Sequence, residues 1–451
     1  MQTLAQLTDA LATGKTTSRA LVEDCLARIA DPAGEGRATF TRVYAQQARA
    51  SADAMDALRR ANRAPSRYAG IPISIKDLFD MAGEPTPAGS TILADAAPAT
   101  STAPAIQRLL QAGFVPVGRT NMTEFAFSGV GINPHYGTPK SPWNRAEGHI
   151  PGGSSSGAAV SITEQFAYAA IGTDTGGSCR IPAALCGIAG YKPTAARVPT
   201  AGAIPLSPTL DSIGPLAATA ACCAAIDGIL AGDPHRRLPA AQISGLRLLL
   251  PTNIAFANID AATEAALDRA VAQLDAAGAA IDRRPLAAFD QINDAHANGG
   301  FAATQAYAWH RDFLATSAAR YDPRVASRIL PGADMSAADY FALMQARARI
   351  VAQFEADMEA YDALIMPTVP IAPPRIAEFA DDNAYRRLNY LLLRNPSAIN
   401  FLNGCAISLP CHAPGAPPAG LMLAAPAMQD RRILAISVAI QDGGRKQAVL
   451  F

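Results

Sequence analysis

Two glycine-rich turns that carry serines, close together in the chain, constrain this sequence more than any other feature. The first runs Pro151-Gly152-Gly153-Ser154-Ser155-Ser156-Gly157 and the second Gly172-Thr173-Asp174-Thr175-Gly176-Gly177-Ser178-Cys179-Arg180, which puts Ser154 and Ser178 24 positions apart. Ala158 to Thr163 reads as a short helix after the first turn and Phe166 to Ile171 as a strand; Pro182 to Cys186 reads as a helix opened by proline and closed by Gly187. Both turns therefore stand at or just before helix N-termini, where backbone N–H groups attract developing negative charge.

The rest of the chain alternates in the same way. Leu4, Leu7 and Leu11, then Leu21, Val22, Cys25, Leu26 and Ile29, fall at helical spacing, so residues 1–60 are expected to be a helical entry to the fold. From Ile71 the period drops to two: Ile71, Ile73 and Ile75 share one face of a strand and leave Ser74 and Lys76 on the other. A helix through Ile106, Leu109 and Leu110, closed by Gly113, leads to a strand at Phe114 to Val117. A second block follows: strand Leu246 to Leu250, helix about Thr263 to Ala276, and a strand after Gly278. A long helix opened by Ser336-x-x-Asp339 comes next and leads into the strand Ala363 to Met366. Beyond it lie a strand region from Gly404 to Leu423 and a last helix near Ile433. With no repeat, linker or low-complexity tract, the expectation is a single α/β domain over residues 1–451.

Composition narrows the function classes. Half of the residues are hydrophobic, 17% are charged and the formal net charge is zero, an ordinary globular balance. A neutral chain without a basic run gives no reason to expect a nucleic-acid partner. No apolar run reaches the roughly 18–20 residues of a membrane span, and the N-terminus does not look like a secretory signal, so a cytoplasmic protein is expected. Seven cysteines without paired metal-ligand spacing read as buried free thiols, and neither a metal nor a cofactor is expected.

The chemistry lies in the turns and in Lys76. A serine hydroxyl becomes a useful nucleophile when a base removes its proton, and a lysine is such a base when burial keeps it neutral. Consecutive residues without bulky side chains let successive N–H groups converge on one oxygen, so Thr175, Gly176, Gly177 and Ser178 form a natural oxyanion nest. Two other readings of the first turn stand beside this one. Gly153-Ser154-Ser155-Ser156-Gly157 fits the Gly-x-Ser-x-Gly elbow, which would make Ser155 the nucleophile and call on His235, His296, His310 or His412; however, the elbow needs a strand running into it, and Trp143 to Pro151 reads as loop. A phosphate loop fails because Gly157 is followed by Ala158-Ala159 in place of Lys-Ser/Thr.

The sequence resembles the amidase signature family over nearly its whole length. Beyond the two turns, the resemblance rests on Gly70 to Asp77, Gly118 to Ala126, Cys186 to Thr194 and Asp211-Ser212-Ile213-Gly214-Pro215, core motifs that lie within 70–216, and on Tyr361-Asp362 to Pro367-Thr368 and Gly404 to Pro410 further on. It implies a mixed central sheet with helices on both faces, Ser178 as acylated nucleophile, Ser154 as bridging serine after a cis peptide bond, and Lys76 as base. Ser155 and Asp174 would support them. One departure stands out: Cys179 occupies a position usually held by a branched aliphatic residue. Arg180 would either hold a substrate carboxylate or pair with Asp174. Met122, Phe125, Ser128 and the stretch 300–345 are candidates to line the substrate site.

The implied activity is hydrolysis of a small-molecule carboxamide or aryl amide. The alternatives are the amidase subunit of a glutamine-dependent tRNA amidotransferase and a biuret- or allophanate-type ureide hydrolase. A homodimer is among the assemblies expected.

Overall fold

The computed structural model describes residues 1–235 and 237–446. Eleven strands form one sheet: β1 (Phe40–Val43), β2 (Pro72–Lys76), β3 (Val115–Thr120), β4 (Ala169–Thr173), β5 (Ala189–Lys192), β6 (Ile213–Ala217), β7 (Arg247–Pro251), β8 (Ala280–Arg284), β9 (Ala363–Pro367), β10 (Cys405–Pro410) and β11 (Gly420–Ala425). Their order is β1-β3-β2-β4-β6-β5-β10-β11-β9-β7-β8. β2 pairs in parallel with β3 and β4, and β7 in parallel with β8 and β9; the strands between these blocks are antiparallel. The sheet is thus mixed, with two crossover blocks joined by an antiparallel centre.

Alternation along each strand divides the residues between two faces. Ile73, Ile75, Ile171, Tyr191, Ile407, Leu423 and Leu248 enter one large core, into which the helices Ser18–Ala30, Ala220–Leu230 and Ala261–Ala276 also pack. The opposite face presents Ser74, Ala170 and Leu216 in register, followed across the sheet by Gly190, Ser408 and Met422. On that face lie the two short helices after the serine turns, Ser156–Thr163 and Arg180–Cys186. Neither has a solvent side: Ser156 to Ile162 and Arg180 to Cys186 are all buried. Small residues let them approach the sheet. A Cβ on Gly190 would stand 2.4 Å from the Cys179 carbonyl oxygen and 2.5 Å from Ala183 Cβ, and one on Gly420 would stand 2.7 Å from Ala184 Cβ. Ser74 Oγ and Ser161 Oγ, 2.8 Å apart, tie the first helix to β2.

Most expected elements are present with ends moved by a few residues, but the first sixty residues are not wholly helical. The edge strand β1 interrupts the helices there and pairs antiparallel with β3. The helix expected to open at Pro182 opens at Arg180, because the turn's own hydrogen bonds begin it earlier. The long helix Ala337–Met358 is capped as expected, Ser336 Oγ accepting from the Asp339 N–H. Its buried stripe is narrower than its apolar residues suggest: Leu343, Ile350, Phe354 and Met358 are buried while Met344 is 49% exposed.

The close approach at Gly190 makes a stability test. Gly190→Ala is expected to cost about 1–3 kcal/mol by overpacking against rigid backbone, seen as a lowered melting temperature, with a further loss of activity because the helix behind Ser178 must shift. Phe341→Ser, at a position 60% exposed, is expected to change stability by less than about 0.5 kcal/mol.

Candidate active site

Lys76 ends β2, and its side chain leaves the sheet on the face that carries the two serine helices. It is fully buried. Its Nζ donates to Ser154 Oγ at 2.7 Å and to Thr173 Oγ1 at 2.8 Å. The neighbouring Asp77 does not neutralise it, since that carboxylate faces the buried Arg119, whose Nε donates to it at 2.8 Å. Burial brings the Lys76 pKa down to about 7, although the carboxylates of Asp174 and Asp211 work in the opposite direction. A large fraction of such an amine is neutral near neutrality. Thr173, the last residue of the parallel neighbour β4, was not among the residues singled out; its place beside Lys76 follows from strand register, which a single sequence does not display.

The peptide bond between Gly153 and Ser154 is cis. Ser155 is buried, and its Oγ donates to the Thr173 carbonyl at 3.4 Å. It does not line the cavity described below, nor does a strand run into the first turn. The elbow geometry is therefore absent.

Asp174 shapes the second turn. Its carboxylate accepts from the N–H groups of Gly177 (2.9 Å) and Cys179 (3.1 Å), from Arg180 Nε (3.0 Å) and Nη2 (2.9 Å), and from Asn400 Nδ2 (2.9 Å). Burial alone would raise its pKa, but the charge and hydrogen bonds of Arg180 outweigh it and hold the group well below the usual carboxylate range. The consequence for the nest is specific. The Gly177 N–H points to Asp174, whereas among the described residues those of Thr175, Gly176 and Ser178 make no hydrogen bond. These last three residues, and not Gly177, line a cavity of about 250 Å³. Of the four residues expected as oxyanion donors, Thr175, Gly176 and Ser178 thus line the cavity with N–H groups that make no hydrogen bond among the described residues, and Gly177 does not.

Ser178 meets the same cavity, and its Oγ makes no hydrogen bond among the described residues. The walls are mostly apolar: Leu206 and Leu210, Ile292, Phe301, and Leu393 with Phe401 from the helix Asp382–Phe401. Of the expected lining residues Ser128 is present, as are Gly300 to Ala303 and Arg328 from the stretch 300–345. Met122 and Phe125 stand in the packing behind the wall, the Phe125 ring lying 4.5 Å from that of His310 and 5.6 Å from that of Tyr321. Arg180 is also absent from the wall. It is fully buried, its Nε and Nη2 donating to Asp174, the Pro396 carbonyl (3.0 Å) and Asn400 Oδ1 (2.6 Å) and its Nη1 to Met422 Sδ (3.1 Å). Cys179 is buried beside the turn, and burial pushes its thiol pKa up, so it packs as a small apolar residue.

Two arginines of the wall differ in what holds them. Arg394 donates to the carbonyls of Ala257 (2.7 Å) and Ala255 (3.2 Å) and to Asn395 Oδ1 (3.0 Å). Arg328, on the helix Pro323–Ile329, has neither hydrogen bond nor ion pair among the described residues, its Nε is buried without a partner, and its guanidinium lies 4.9 Å from the centre of the Phe127 ring. Of the six histidines, His296 alone reaches this wall, and burial lowers its pKa. Among the described residues, no group of three or more His, Cys, Asp or Glu side chains could hold a metal ion, and no helix is long and apolar enough to cross a membrane.

A buried amine bonded to a hydroxyl, with a second hydroxyl and three free N–H groups at the floor of an apolar cavity, is suited to acyl transfer. A protein-family model described as Amidase matches residues 20–434. Among curated relatives, 2-amino-5-chloromuconic acid deaminase of Comamonas testosteroni is 35% identical over 403 residues, covering 88% of this chain and 86% of that protein. A glutamyl-tRNA(Gln) amidotransferase subunit of Symbiobacterium thermophilum is 31% identical over 480 residues, covering 98% and 96%. A crystal structure of an amidase superposes with a TM-score of 0.88 at 26% identity, over 98% of this chain and all of the other. The matched span holds Lys76, both serine turns and the cavity wall, and the chain belongs to the amidase family of hydrolases that act on C–N bonds.

Proposed function

We propose that the protein hydrolyses a small carboxamide or aryl amide to a carboxylic acid and ammonia or an amine, through an acyl-enzyme on Ser178. The whole 451-residue chain acts as one catalytic domain, in a cytoplasmic setting that suits its seven free thiols. The observation that carries this function is the Lys76–Ser154 hydrogen bond of 2.7 Å, buried behind a cavity floor where Ser178 meets three free N–H groups.

Neutral Lys76 accepts the Ser154 proton while Ser154 accepts that of Ser178. Ser178 Oγ then bonds to the carbonyl carbon, and the carbonyl electron pair moves to oxygen, where the N–H groups of Thr175, Gly176 and Ser178 receive it. The relay returns its proton to the amide nitrogen as the C–N bond breaks. Water repeats the sequence on the ester, releasing the acid and restoring the Ser178 hydroxyl. Arg328 adds a charge requirement. An unpaired guanidinium in an apolar wall favours a substrate that carries a carboxylate, in keeping with a relative named for 2-amino-5-chloromuconic acid.

A second reading, the amidase subunit of a tRNA amidotransferase, draws on the likeness to such subunits. Glutaminase activity that appears on adding co-purifying partner proteins, and is absent without them, would establish it in place of the first.

Ser178→Ala is expected to abolish both hydrolysis and covalent labelling by a fluorophosphonate, while Ser155→Ala keeps part of each; a label mapped to Ser155 would reverse the assignment. His296→Ala is expected to change substrate affinity but spare the chemical step, without the fall of about 10⁴-fold that follows loss of a triad member.

The rate should depend on pH through Lys76. Because the neutral amine is the active form, activity is expected to fall as pH drops through about 7, far below the roughly 10.4 of a free lysine. Lys76→Arg should not restore the limb, since a guanidinium cannot accept the proton. Near-normal turnover of Lys76→Arg with an unchanged profile would refute the relay.

For Arg328→Ala, kcat/KM on a carboxylate-bearing amide is expected to fall about 10- to 100-fold, the scale of one charged hydrogen bond, with little change on a neutral amide of the same size. Equal losses on both substrates would count against an anionic one.

A further inference from the structure

Asp211 is a half-buried carboxylate that the relay above does not use. It begins the short segment that enters β6, and its oxygens reach two structures at once. On one side Oδ1 accepts from Thr175 Oγ1 at 2.5 Å. On the other it gathers the N–H groups of Leu206 and Ser207, each at 3.1 Å. Leu206 and Leu210 are cavity wall, and Thr175 belongs to the cavity-side donors of the serine turn. The segment between them is held from outside by Gln305 of the helix Phe301–Ser317, which accepts from Ser207 Oγ (2.6 Å) and from the Thr209 N–H (3.1 Å). Its Nε2 donates to Tyr340 on the long helix at 2.8 Å. Substrate wall and donor turn therefore meet through the Asp211 carboxylate, and Gln305 ties the same segment to the two helices.

Asp211 also lines a second, smaller compartment of about 80 Å³ with Thr173, the hydroxyl partner of Lys76. No cation contacts it among the described residues. The charged and titratable groups facing Lys76 are Asp174, Asp211 and the thiol of Cys179; Asp174 is already paired with Arg180, which leaves Asp211 as the carboxylate without a cation of its own.

We propose that Asp211 is a positioning residue of the proposed hydrolysis: it pins Thr175 and the serine turn to the Leu206–Leu210 wall, and it sets an unpaired carboxylate in the compartment lined by Thr173, the hydroxyl partner of Lys76. The first role fixes where a developing oxyanion is received. The second favours the protonated amine, so removing the charge should make Lys76 easier to deprotonate. Burial raises the Asp211 pKa to about 6. The tie weakens as pH falls through that value, because a protonated carboxyl has lost acceptor capacity.

This inference rests on the Ser178 acyl-enzyme, and its test separates the two. A fluorophosphonate labels an activated serine without knowledge of the substrate, so its maximal labelling rate is followed against pH in wild type, Asp211→Asn and Thr175→Val. Failure of the wild type to label at Ser178 would refute the acyl-enzyme itself. Asparagine can still accept from the two N–H groups and donate to Thr175 Oγ1, so Asp211→Asn keeps the fold and removes the charge; its rate limb is expected to move to lower pH by about half a unit or more. Thr175→Val keeps the charge and breaks the tie. Its maximal rate is expected to fall about tenfold or more, the scale of misplacing a donor, with the limb unmoved. A labelled wild type together with an unshifted limb in Asp211→Asn, or with a maximal rate within about twofold of wild type in Thr175→Val, would overturn the positioning role and leave the acyl-enzyme standing.

Discussion

The Asp174 carboxylate is the interaction on which the site depends. Five donors converge on it, two from its own turn, two from Arg180 and one from Asn400 of the helix whose inner face forms the cavity wall. A carboxylate with that many partners does more than satisfy a buried charge. By drawing the N–H groups of Gly177 and Cys179 inward it leaves those of Thr175, Gly176 and Ser178 without backbone acceptors, so the donors at the cavity floor follow from the turn's own electrostatics. Removing one partner of such a buried pair costs about 3–5 kcal/mol, because the other charge is stranded. The floor and the wall would be lost together, since Arg180 also bonds Pro396 and Asn400 of the wall helix.

Among the described residues two lysines are buried, and their surroundings show why one is suited to proton transfer. Burial lowers both, Lys76 to about 7 and Lys192 to about 8. Lys192 Nζ donates to the carbonyls of Pro193 and Gly404, each at 2.8 Å. Carbonyl oxygens accept and never donate, so a neutral Lys192 would have nothing from which to take a proton. Lys76 faces two hydroxyls. A hydroxyl can reverse its role, donating to the amine when the amine is neutral and accepting when it is charged. Desolvation supplies the proton affinity, but the chemical identity of the partners decides whether it has a use.

Much of this was legible in the sequence, where physical requirements leave local traces. The period-two run from Ile71 to Ile75 placed Lys76 on the right face of β2, the glycines announced both turns, and Ser336 with Asp339 announced the long helix. What could not be read depended on contacts between distant segments. β1 is four residues long and gains its identity from β3, which lies beyond a long helix and β2. Met122 and Phe125 looked like wall residues by their nearness to a motif, yet they pack behind it. Phe401 and Leu393, which do form the wall, sit on a helix whose apolar residues look like ordinary core. Arg180 drew attention by following Ser178, whereas Arg328 is one of many arginines in an Arg-rich chain. Only the tertiary fold shows that the first is well partnered and that the second, among the described residues, has neither a hydrogen bond nor an ion pair.

That difference between arginines gives the cavity its polarity. At the floor the N–H groups of Thr175, Gly176 and Ser178 offer positive dipole ends; in the wall Arg328 offers a full charge, and between them the lining is chiefly leucine, isoleucine and phenylalanine. An apolar lining strengthens both electrostatic ends, because it screens charge less than water does. At about 250 Å³ the space falls below the roughly 300–1,000 Å³ usual for drug-sized ligands, so a ligand that spans from floor to guanidinium must be small. In the proposed reaction, one such ligand would place its carbonyl at the dipoles and its carboxylate at Arg328, and its remaining surface would displace water from the apolar wall. An amide bearing no charge would still meet the floor, but it would leave Arg328 without an anionic partner. In the proposed reaction the wall would therefore discriminate by the cost of an unmet guanidinium as much as by the contact it makes with the right substrate.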